Sequence, residues 1–289
     1  QYWLTAKVPE GAAAGTYRGT VLVSDGAKTL ATISLELTVY PFKLLPPYYS
    51  SSLYYRGILS EKHPEGSIGS EFKSEAQLRA ELANMKAHGV DAPTIYQNQR
   101  SGLLPSYMKI WREVGMRRDA IYWLGIQTGA PMTESALQAL GEQVKEGRAW
   151  FTREGFGELY VYGIDEATGE RLAAQRKAWE LVHRLGVKVF CAGYTGTFEA
   201  VGDLQDILVH AWRPSKEEAQ KWHSVRHKIW SYANPQGGVE NPEVNRRNFG
   251  LKLWKYGYDG AATYALAAQW DSAVIQCDGA AWYVVGIGP

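Results

Sequence analysis

Apolar and polar positions along the chain follow two different patterns, and the pattern changes after residue 43. Before that point, three stretches alternate with period two, which favours antiparallel strands with one buried face. Glycine-containing turn signals separate the stretches, which cover residues 3–8, 16–23 and 29–39. We expect residues 1–43 to be the C-terminal strands of a β-sandwich domain whose earlier part lies outside this chain.

From residue 48 onward, strand-like and helix-like segments alternate. The strand-like segments are predicted at residues 53–55, 92–96, 120–126, 159–164, 188–194, 207–212, 228–233 and 260–266. Eight strands that alternate with helices over about 220 residues suit a (β/α)8 barrel. A doubly wound open sheet is the alternative, and the count of eight favours the barrel. We therefore predict an α/β fold with a (β/α)8 barrel over residues 48–289. The Gly-rich end of the chain suggests that its last helix is lacking.

Charge and composition narrow the classes of function. The chain has 289 residues and a net charge of +1, with no long basic run, so nothing favours nucleic-acid binding. No apolar stretch reaches about 18 residues, so no membrane span is expected. No glycine-rich phosphate loop follows a strand, and Cys191 and Cys277 lack metal-ligand spacing, so we predict no cofactor and no metal. The 11 Trp and 18 Tyr against 7 Phe supply flat faces with polar tips, which suit sugar rings or a bulky core.

The fourth predicted strand ends in two adjacent carboxylates, Asp165 and Glu166, before a new helix begins. The carboxyl ends of parallel strands form the functional face of a barrel, so this pair is the predicted catalytic centre. The alternative is a capping pair, with two acids that offset a helix dipole. Consecutive residues in a regular strand face opposite ways, so both acids reach one substrate only if the strand ends or bulges at Asp165.

Aromatic and amide side chains stand at the ends of the other strands, as expected for a carbohydrate pocket. For each aromatic residue the alternative is packing inside the barrel, and for the single histidine it is a hydrogen-bonded core position. The predicted substrate-binding residues are Tyr55, Trp123, Tyr194, His210, Trp212, Trp230, Tyr232, Asn234, Tyr264 and Trp270.

Several segments resemble a known family. Residues 230–235 (WSYANP), 240–242 (ENP) and 253–260 (LWKYGYDG) are similar to the barrel of glycoside hydrolase family 123 and its uncharacterised relatives. Residues 15–19 (GTYRG) are similar to the β-sandwich that precedes that barrel. The resemblance implies a retaining β-N-acetylhexosaminidase, with N-acetylgalactosamine as the family's sugar, that works by substrate assistance.

In that mechanism the acetamido oxygen of the substrate attacks the anomeric carbon. The resemblance implies that Asp165 steadies the acetamido nitrogen and that Glu166 is the general acid/base. Burial in an apolar pocket favours a neutral carboxyl, and a close pair divides into one ionised and one protonated member. The chemistry therefore suits the two residue types.

Two rival functions stay open. A glycosidase of other specificity would need a second, distant carboxylate, with Asp271, Glu240 and Glu61 as candidates. A non-catalytic sugar-binding barrel would bind without turnover. In each case the expected partner is a carbohydrate. The expected location is extracellular or periplasmic. The sequence does not predict the oligomeric state.

Overall fold

The computed structural model describes residues 6–43, 45, 47–62, 71–129, 133–232 and 242–266. The chain divides into two compact units, with the division between Pro47 and Tyr48.

The first unit contains an antiparallel hairpin of β1 (Gly15–Asp25) and β2 (Lys28–Val39). Gly26 opens the two-residue turn between them with a φ of 56°, a left-handed conformation that glycine adopts without steric penalty. The strands predicted at 16–23 and 29–39 are therefore confirmed. For the strand predicted at 3–8, residues 3–5 lie outside the described residues and residues 6–8 form no strand. A β-sandwich is not shown by the described part of this unit.

The second unit is built on a seven-stranded parallel sheet, in the order β3-β11-β10-β9-β8-β7-β6. A separate parallel pair, β4 and β5, lies in the connection after β3. In chain order the strands are β3 (Ser50–Tyr55), β4 (Ile58–Leu59), β5 (Phe72–Lys73), β6 (Ala120–Gln127), β7 (Glu158–Tyr162), β8 (Lys188–Gly193), β9 (Ile207–His210), β10 (Lys228–Ser231) and β11 (Gly260–Leu266).

A short segment joins the two edges of this sheet, so the sheet is barrel-like rather than open. Thr94 donates its N–H to the Leu53 carbonyl of β3 at 2.9 Å. Ile95 donates to Tyr122 of β6 at 2.8 Å and accepts from Leu124 at 2.7 Å. The predicted second strand is thus reduced to one bridge, because Pro93 has no N–H to contribute to a longer ladder.

Helices follow the strands and cover the outside of the sheet. They are α1 (Glu75–Ala87), α2 (Leu104–Val114), α3 (Glu134–Arg153), α4 (Gly169–Ala173), α5 (Arg176–Arg184), α6 (Thr197–Val201), α7 (Lys216–Ser224), α8 (Pro242–Arg246) and α9 (Lys252–Tyr256), with a π-helical turn, Arg247–Leu251, between α8 and α9. The helical region that follows the two acids is divided into two separate helices, α4 and α5. Buried Gln175 stands at the break and accepts a hydrogen bond from Thr128 at 2.7 Å.

Aromatic side chains fill the interior where the strands begin. The Tyr122 ring lies 5.1 Å from Tyr160, 5.5 Å from Phe190 and 4.7 Å from Trp230, measured between centroids. These residues come from four strands and occupy early positions on them. This end of the barrel is therefore a packed core, and any substrate site in the unit is restricted to the opposite end.

Candidate active site

Strand β7 ends at Tyr162, and a tight connection leads from it to the two acids. Gly163 is the first residue of this connection and donates its N–H to Phe190 at 2.9 Å. A β-carbon at this position would lie 2.7 Å from the Trp179 ring and 3.0 Å from Cys191 Sγ. The close approach of the chain to β8 and α5 therefore requires glycine here.

Asp165 and Glu166 lie in the turn that follows, and both side chains are exposed. Glu166 has a φ of 48°, which is uncommon for a residue with a side chain. Its N–H donates to the Ala192 carbonyl at 3.1 Å, which fixes the turn against β8. The expectation that the strand must end before the two acids is confirmed.

A tyrosine network holds Asp165. Tyr162 donates its hydroxyl proton to Asp165 Oδ1 at 2.5 Å. The Tyr162 hydroxyl oxygen also accepts from the Ala192 N–H at 3.2 Å and lies 3.1 Å from the Tyr54 hydroxyl. A phenol has one proton, so with Tyr162 donating to the carboxylate, Tyr54 donates to Tyr162. Asp165 Oδ2 receives no hydrogen bond from the residues that the structure describes.

A different tyrosine contacts Glu166. Tyr194, which follows β8, donates its hydroxyl to Glu166 Oε2. This hydrogen bond to a carboxylate raises the pKa of Tyr194 to about 12, with burial as the second cause. Ala192 thus secures both acids, since its N–H bonds Tyr162 and its carbonyl bonds the backbone of Glu166.

More tyrosines complete a cup around the acids. Tyr232 and Tyr264 pack on the Tyr54 ring at centroid distances of 5.9 and 6.0 Å. Burial, followed by the charges of Glu166 and Asp165, raises the pKa of Tyr232. Burial also raises the pKa of Tyr96, which the charge of Asp165 reinforces. We call this set the tyrosine cup; its members are Tyr54, Tyr96, Tyr162, Tyr194, Tyr232 and Tyr264.

Arg56 braces one side of the tyrosine cup. Its guanidinium pairs with Glu71, donates to the Tyr264 hydroxyl at 3.1 Å and lies 5.3 Å from the centre of the Tyr96 ring. The hydrogen bonds to Glu71 and Tyr264 outweigh burial and raise the pKa of Arg56. Arg56 therefore orients two tyrosines, and its charge is already matched by Glu71.

Four predicted substrate-binding residues lie away from the tyrosine cup. Tyr55 is fully buried on the outer face of β3 and donates to Glu81 of α1 at 2.6 Å. Trp123 is buried against Phe151 of α3, with ring centroids 5.1 Å apart. Trp230 is fully buried in the packed end of the barrel. Aromatic residues at strand ends also fill the core and the layer between strands and helices, and the structure places these three there.

His210 is the fourth, and its alternative as a core residue is confirmed. Its Nδ1 lies 2.7 Å from the Tyr258 hydroxyl and its Nε2 lies 3.2 Å from Thr195 Oγ1. Burial lowers the pKa of His210 to about 4. The ring is therefore neutral at neutral pH and serves as a hydrogen-bonded support between β9 and the outer layer.

The remaining predicted residues divide between three places. Tyr194, Tyr232 and Tyr264 belong to the tyrosine cup. Trp212 is 60% exposed after β9 and makes no ring contact in the described part of the chain. Asn234 and Trp270 lie outside the described residues.

Sequence reasoning did not include Tyr54 and Tyr162 in the site. One signal was present for Tyr54. Tyr54 lies two residues before Arg56, which is the first charged residue after β3. Because side chains alternate along a strand, the two side chains face the same way.

The two acids are free of the ion pairs that would mark them as structural. No Lys, Arg or His in the described ranges forms a salt bridge with Asp165 or Glu166. Over the same ranges there is no cluster of three or more metal-ligating side chains, and no helix is long and apolar enough to cross a membrane. The arrangement can supply two carboxyls and several phenol hydroxyls to a bound molecule.

Comparisons with known proteins give no family. No family model matches the chain, and no curated protein matches it, so the resemblance to glycoside hydrolase family 123 is not confirmed. Among solved structures, a variant of the Thermobaculum terrenum O-GlcNAc hydrolase matches at 10% identity and a TM-score of 0.45, over 83% of this chain and 64% of that one.

Two further structures match at a similar level. The Bacillus megaterium spore cortex-lytic enzyme SleL matches at 11% identity and a TM-score of 0.45, over 82% of this chain and 74% of that one. A fusion protein of a xylose isomerase-like TIM barrel and 4-hydroxyphenylpyruvate dioxygenase matches at 9% identity and a TM-score of 0.41, over 81% and 41%. Likenesses this distant carry no argument about the activity of this chain.

Proposed function

We propose that this chain is a glycoside hydrolase that cleaves β-linked 2-acetamido sugars by substrate assistance, with N-acetylgalactosamine as the first candidate sugar. One observation carries the proposal. Two adjacent exposed carboxyls stand at the carboxyl end of β7, each held by its own tyrosine and neither joined to a cation in the described ranges. A capping pair would not need separate tyrosine partners, whereas a catalytic pair with two roles does.

Asp165 suits the role of acetamido stabiliser. Tyr162 occupies Oδ1 and fixes the orientation of the carboxylate, which leaves Oδ2 to accept a hydrogen bond from the acetamido N–H of the substrate. This contact orients the acetamido oxygen toward the anomeric carbon. It also stabilises the positive charge that develops on the acetamido group as the oxygen attacks.

Glu166 suits the role of general acid/base. In the first step the acetamido oxygen forms a bond to the anomeric carbon, the glycosidic C–O bond breaks, and Glu166 gives its proton to the leaving oxygen. In the second step Glu166 takes a proton from water, the water oxygen bonds to the anomeric carbon, and the acetamido group is released. The anomeric configuration is retained because two displacements occur at the same carbon.

The rest of the tyrosine cup provides a place for the sugar ring. The hydroxyls of Tyr96 and Tyr232 make no hydrogen bond within the part of the chain that the structure describes, so they can bind sugar hydroxyls. The ring faces of the same side chains can pack against the C–H face of a sugar.

Release of p-nitrophenol from β-N-acetylgalactosaminide and β-N-acetylglucosaminide substrates tests the proposal. We expect Glu166→Gln and Asp165→Asn each to lower kcat/KM by about 10²–10⁴-fold, as for loss of a general acid or a charged stabiliser. Glu170→Gln is the matched control, because Glu170 is an exposed glutamate on the neighbouring α4. Equal rates for wild type and Glu166→Gln would refute the catalytic assignment, and binding without turnover by wild type would favour a sugar-binding barrel.

A further inference from the structure

Three cationic side chains cluster near the segment that follows β9, outside the tyrosine cup. Arg213 comes directly after β9, and Arg247 and Lys252 lie in the helical segment that follows β10. This helical segment, residues 242–256, lies between β10 and β11 in the chain. We call Arg213, Arg247 and Lys252 the cationic rim.

The π-helical turn brings two of the three residues together. Lys252 donates its backbone N–H to the Arg247 carbonyl, the five-residue spacing of a π-turn. In an α-helix, residues five apart point about 140° away from each other. The wider turn instead brings Arg247 and Lys252 onto nearly the same side. A π-turn is a local departure from regular helix that proteins often place at functional sites.

Hydrogen bonds connect the segment that contains Arg213 to the same region. The N–H of Ser215, two residues after Arg213, donates to the Tyr258 hydroxyl at 3.2 Å. The Tyr258 N–H donates in turn to the Leu253 carbonyl, next to Lys252, at 2.9 Å. Burial and then the charges of Arg247 and Arg213 lower the pKa of Lys252, in agreement with this proximity.

The cationic rim differs from the surface cations that form ion pairs. Arg79, Arg176 and Lys221, for example, each pair with a carboxylate. Within the described ranges no carboxylate forms a salt bridge with a member of the cationic rim, so among these residues the three like charges have no paired anion. Such an arrangement is unfavourable for the free protein and favourable once an anion binds.

An aromatic platform adjoins these charges. Trp212 immediately precedes Arg213 and is 60% exposed. An indole face beside several cations suits a sugar that carries a negative group, because the ring packs on the indole while the anion meets the charges.

We propose that Trp212 and the cationic rim form a secondary subsite for an anionic sugar unit, one that carries a sulfate or carboxylate, in a chain whose acetamido sugar occupies the tyrosine cup. The inference rests on the proposed function for its substrate, and it narrows that substrate to an acidic, acetamido-containing oligosaccharide. The cationic rim contributes affinity for the chain and takes no part in bond cleavage.

Binding to the Glu166→Gln protein tests the subsite without turnover. Calorimetry compares a sulfated, N-acetylgalactosamine-containing tetrasaccharide with the same tetrasaccharide after desulfation. We expect the sulfated ligand to bind at least about tenfold more tightly, from charge-assisted contacts, and added salt to reduce the difference. The double variant Arg213→Gln/Arg247→Gln should remove the preference for sulfate.

A matched double variant controls for the loss of charge. Arg246→Gln/Lys255→Gln removes two exposed cations from the same helical segment but leaves the cationic rim intact. This variant should therefore keep the preference of the Glu166→Gln protein for the sulfated tetrasaccharide. Equal affinities for the two tetrasaccharides, equal losses in the two double variants, or equally tight binding of dextran sulfate would each overturn the inference. Full hydrolytic activity in Glu166→Gln would instead contradict the proposed catalytic role and leave the binding comparison valid.

Discussion

Replacement of Tyr162 by phenylalanine tests how the site holds Asp165. The hydroxyl of Tyr162 makes three contacts, at 2.5 Å to Asp165, 3.1 Å to Tyr54 and 3.2 Å to the Ala192 N–H. The substitution keeps the ring, which packs 5.1 Å from Phe190. It removes only the oxygen and the contacts that this oxygen makes.

The magnitude follows from these contacts. A hydrogen bond to a charged group contributes about 1.5–3 kcal/mol, so loss of the bond to Asp165 should lower kcat/KM by about 10–100-fold if it orients the carboxylate for the transition state. The decrease should fall mainly on kcat, because the contact acts through Asp165 rather than on the bound sugar. The buried Tyr54 hydroxyl and Ala192 N–H lose a partner, so the unfolding free energy should fall by about 2–4 kcal/mol.

Tyr160→Phe provides the control. Tyr160 lies two residues earlier on the same face of β7, and its hydroxyl donates at 2.8 Å to Glu158, at the opposite end of the strand from Asp165. We expect its activity to stay at the wild-type level, with a stability loss below about 1 kcal/mol, since Glu158 is half-exposed. Steady-state kinetics on an aryl β-N-acetyl substrate and urea unfolding measure both effects. Equal kcat values for the two variants would refute the positioning role of Tyr162.

Three further predictions concern stability. His210 is neutral when folded, and its pKa changes from 6.5 to about 4, so the unfolded state binds the extra proton first as the pH falls. The unfolding free energy, measured by urea titration, should therefore drop by about 3 kcal/mol between pH 6.5 and 4, and His210→Gln should flatten this pH dependence. The same pH dependence in wild type and variant would contradict the role of His210. Gly163→Ala should lower the unfolding free energy by about 1–3 kcal/mol, because the new β-carbon would lie 2.7 Å from Trp179. Gly250→Ala is the control, since its β-carbon would meet nothing within 4 Å. Similar melting temperatures for the two variants would contradict the close packing at Gly163. Glu166→Gly should raise the unfolding free energy by about 1 kcal/mol, because glycine adopts a φ of 48° without strain. Glu166→Gln should leave the unfolding free energy unchanged. A less stable glycine variant would contradict backbone strain at residue 166.

The order of the elements could be predicted from the sequence because each carries a local signal. The strand predicted at 260–266 has the bounds that the structure shows, and the strand predicted at 120–126 is β6, Ala120–Gln127. The segment at 92–96 has the apolar pattern of a strand, but Pro93 lacks an N–H and only one bridge forms. The break between α4 and α5 depends on a buried contact between Gln175 and Thr128, which are far apart in sequence.

The position of Asp165 and Glu166 could be predicted, but most of their surroundings could not. Strands in a parallel barrel are buried on both faces, so they show no alternation that separates inward from outward residues. Tyr54 and Tyr55 are adjacent and both buried, yet one contacts Tyr162 across the barrel and the other contacts Glu81 of α1. Trp123 faces outward because Gly147 of α3 leaves room for its ring, which is a property of the packed helix and not of the strand.

Fluorination of the acetamido group tests substrate assistance by Asp165 and Glu166 most directly. Successive fluorine substitution weakens the acetamido oxygen as a nucleophile while the leaving group stays the same. We predict that kcat/KM on aryl 2-acetamido, 2-fluoroacetamido and 2-trifluoroacetamido glycosides falls steeply along the series, and that Asp165→Asn reduces this dependence. Equal rates for all three substrates would contradict attack by the acetamido oxygen and would require a carboxylate nucleophile elsewhere in the chain.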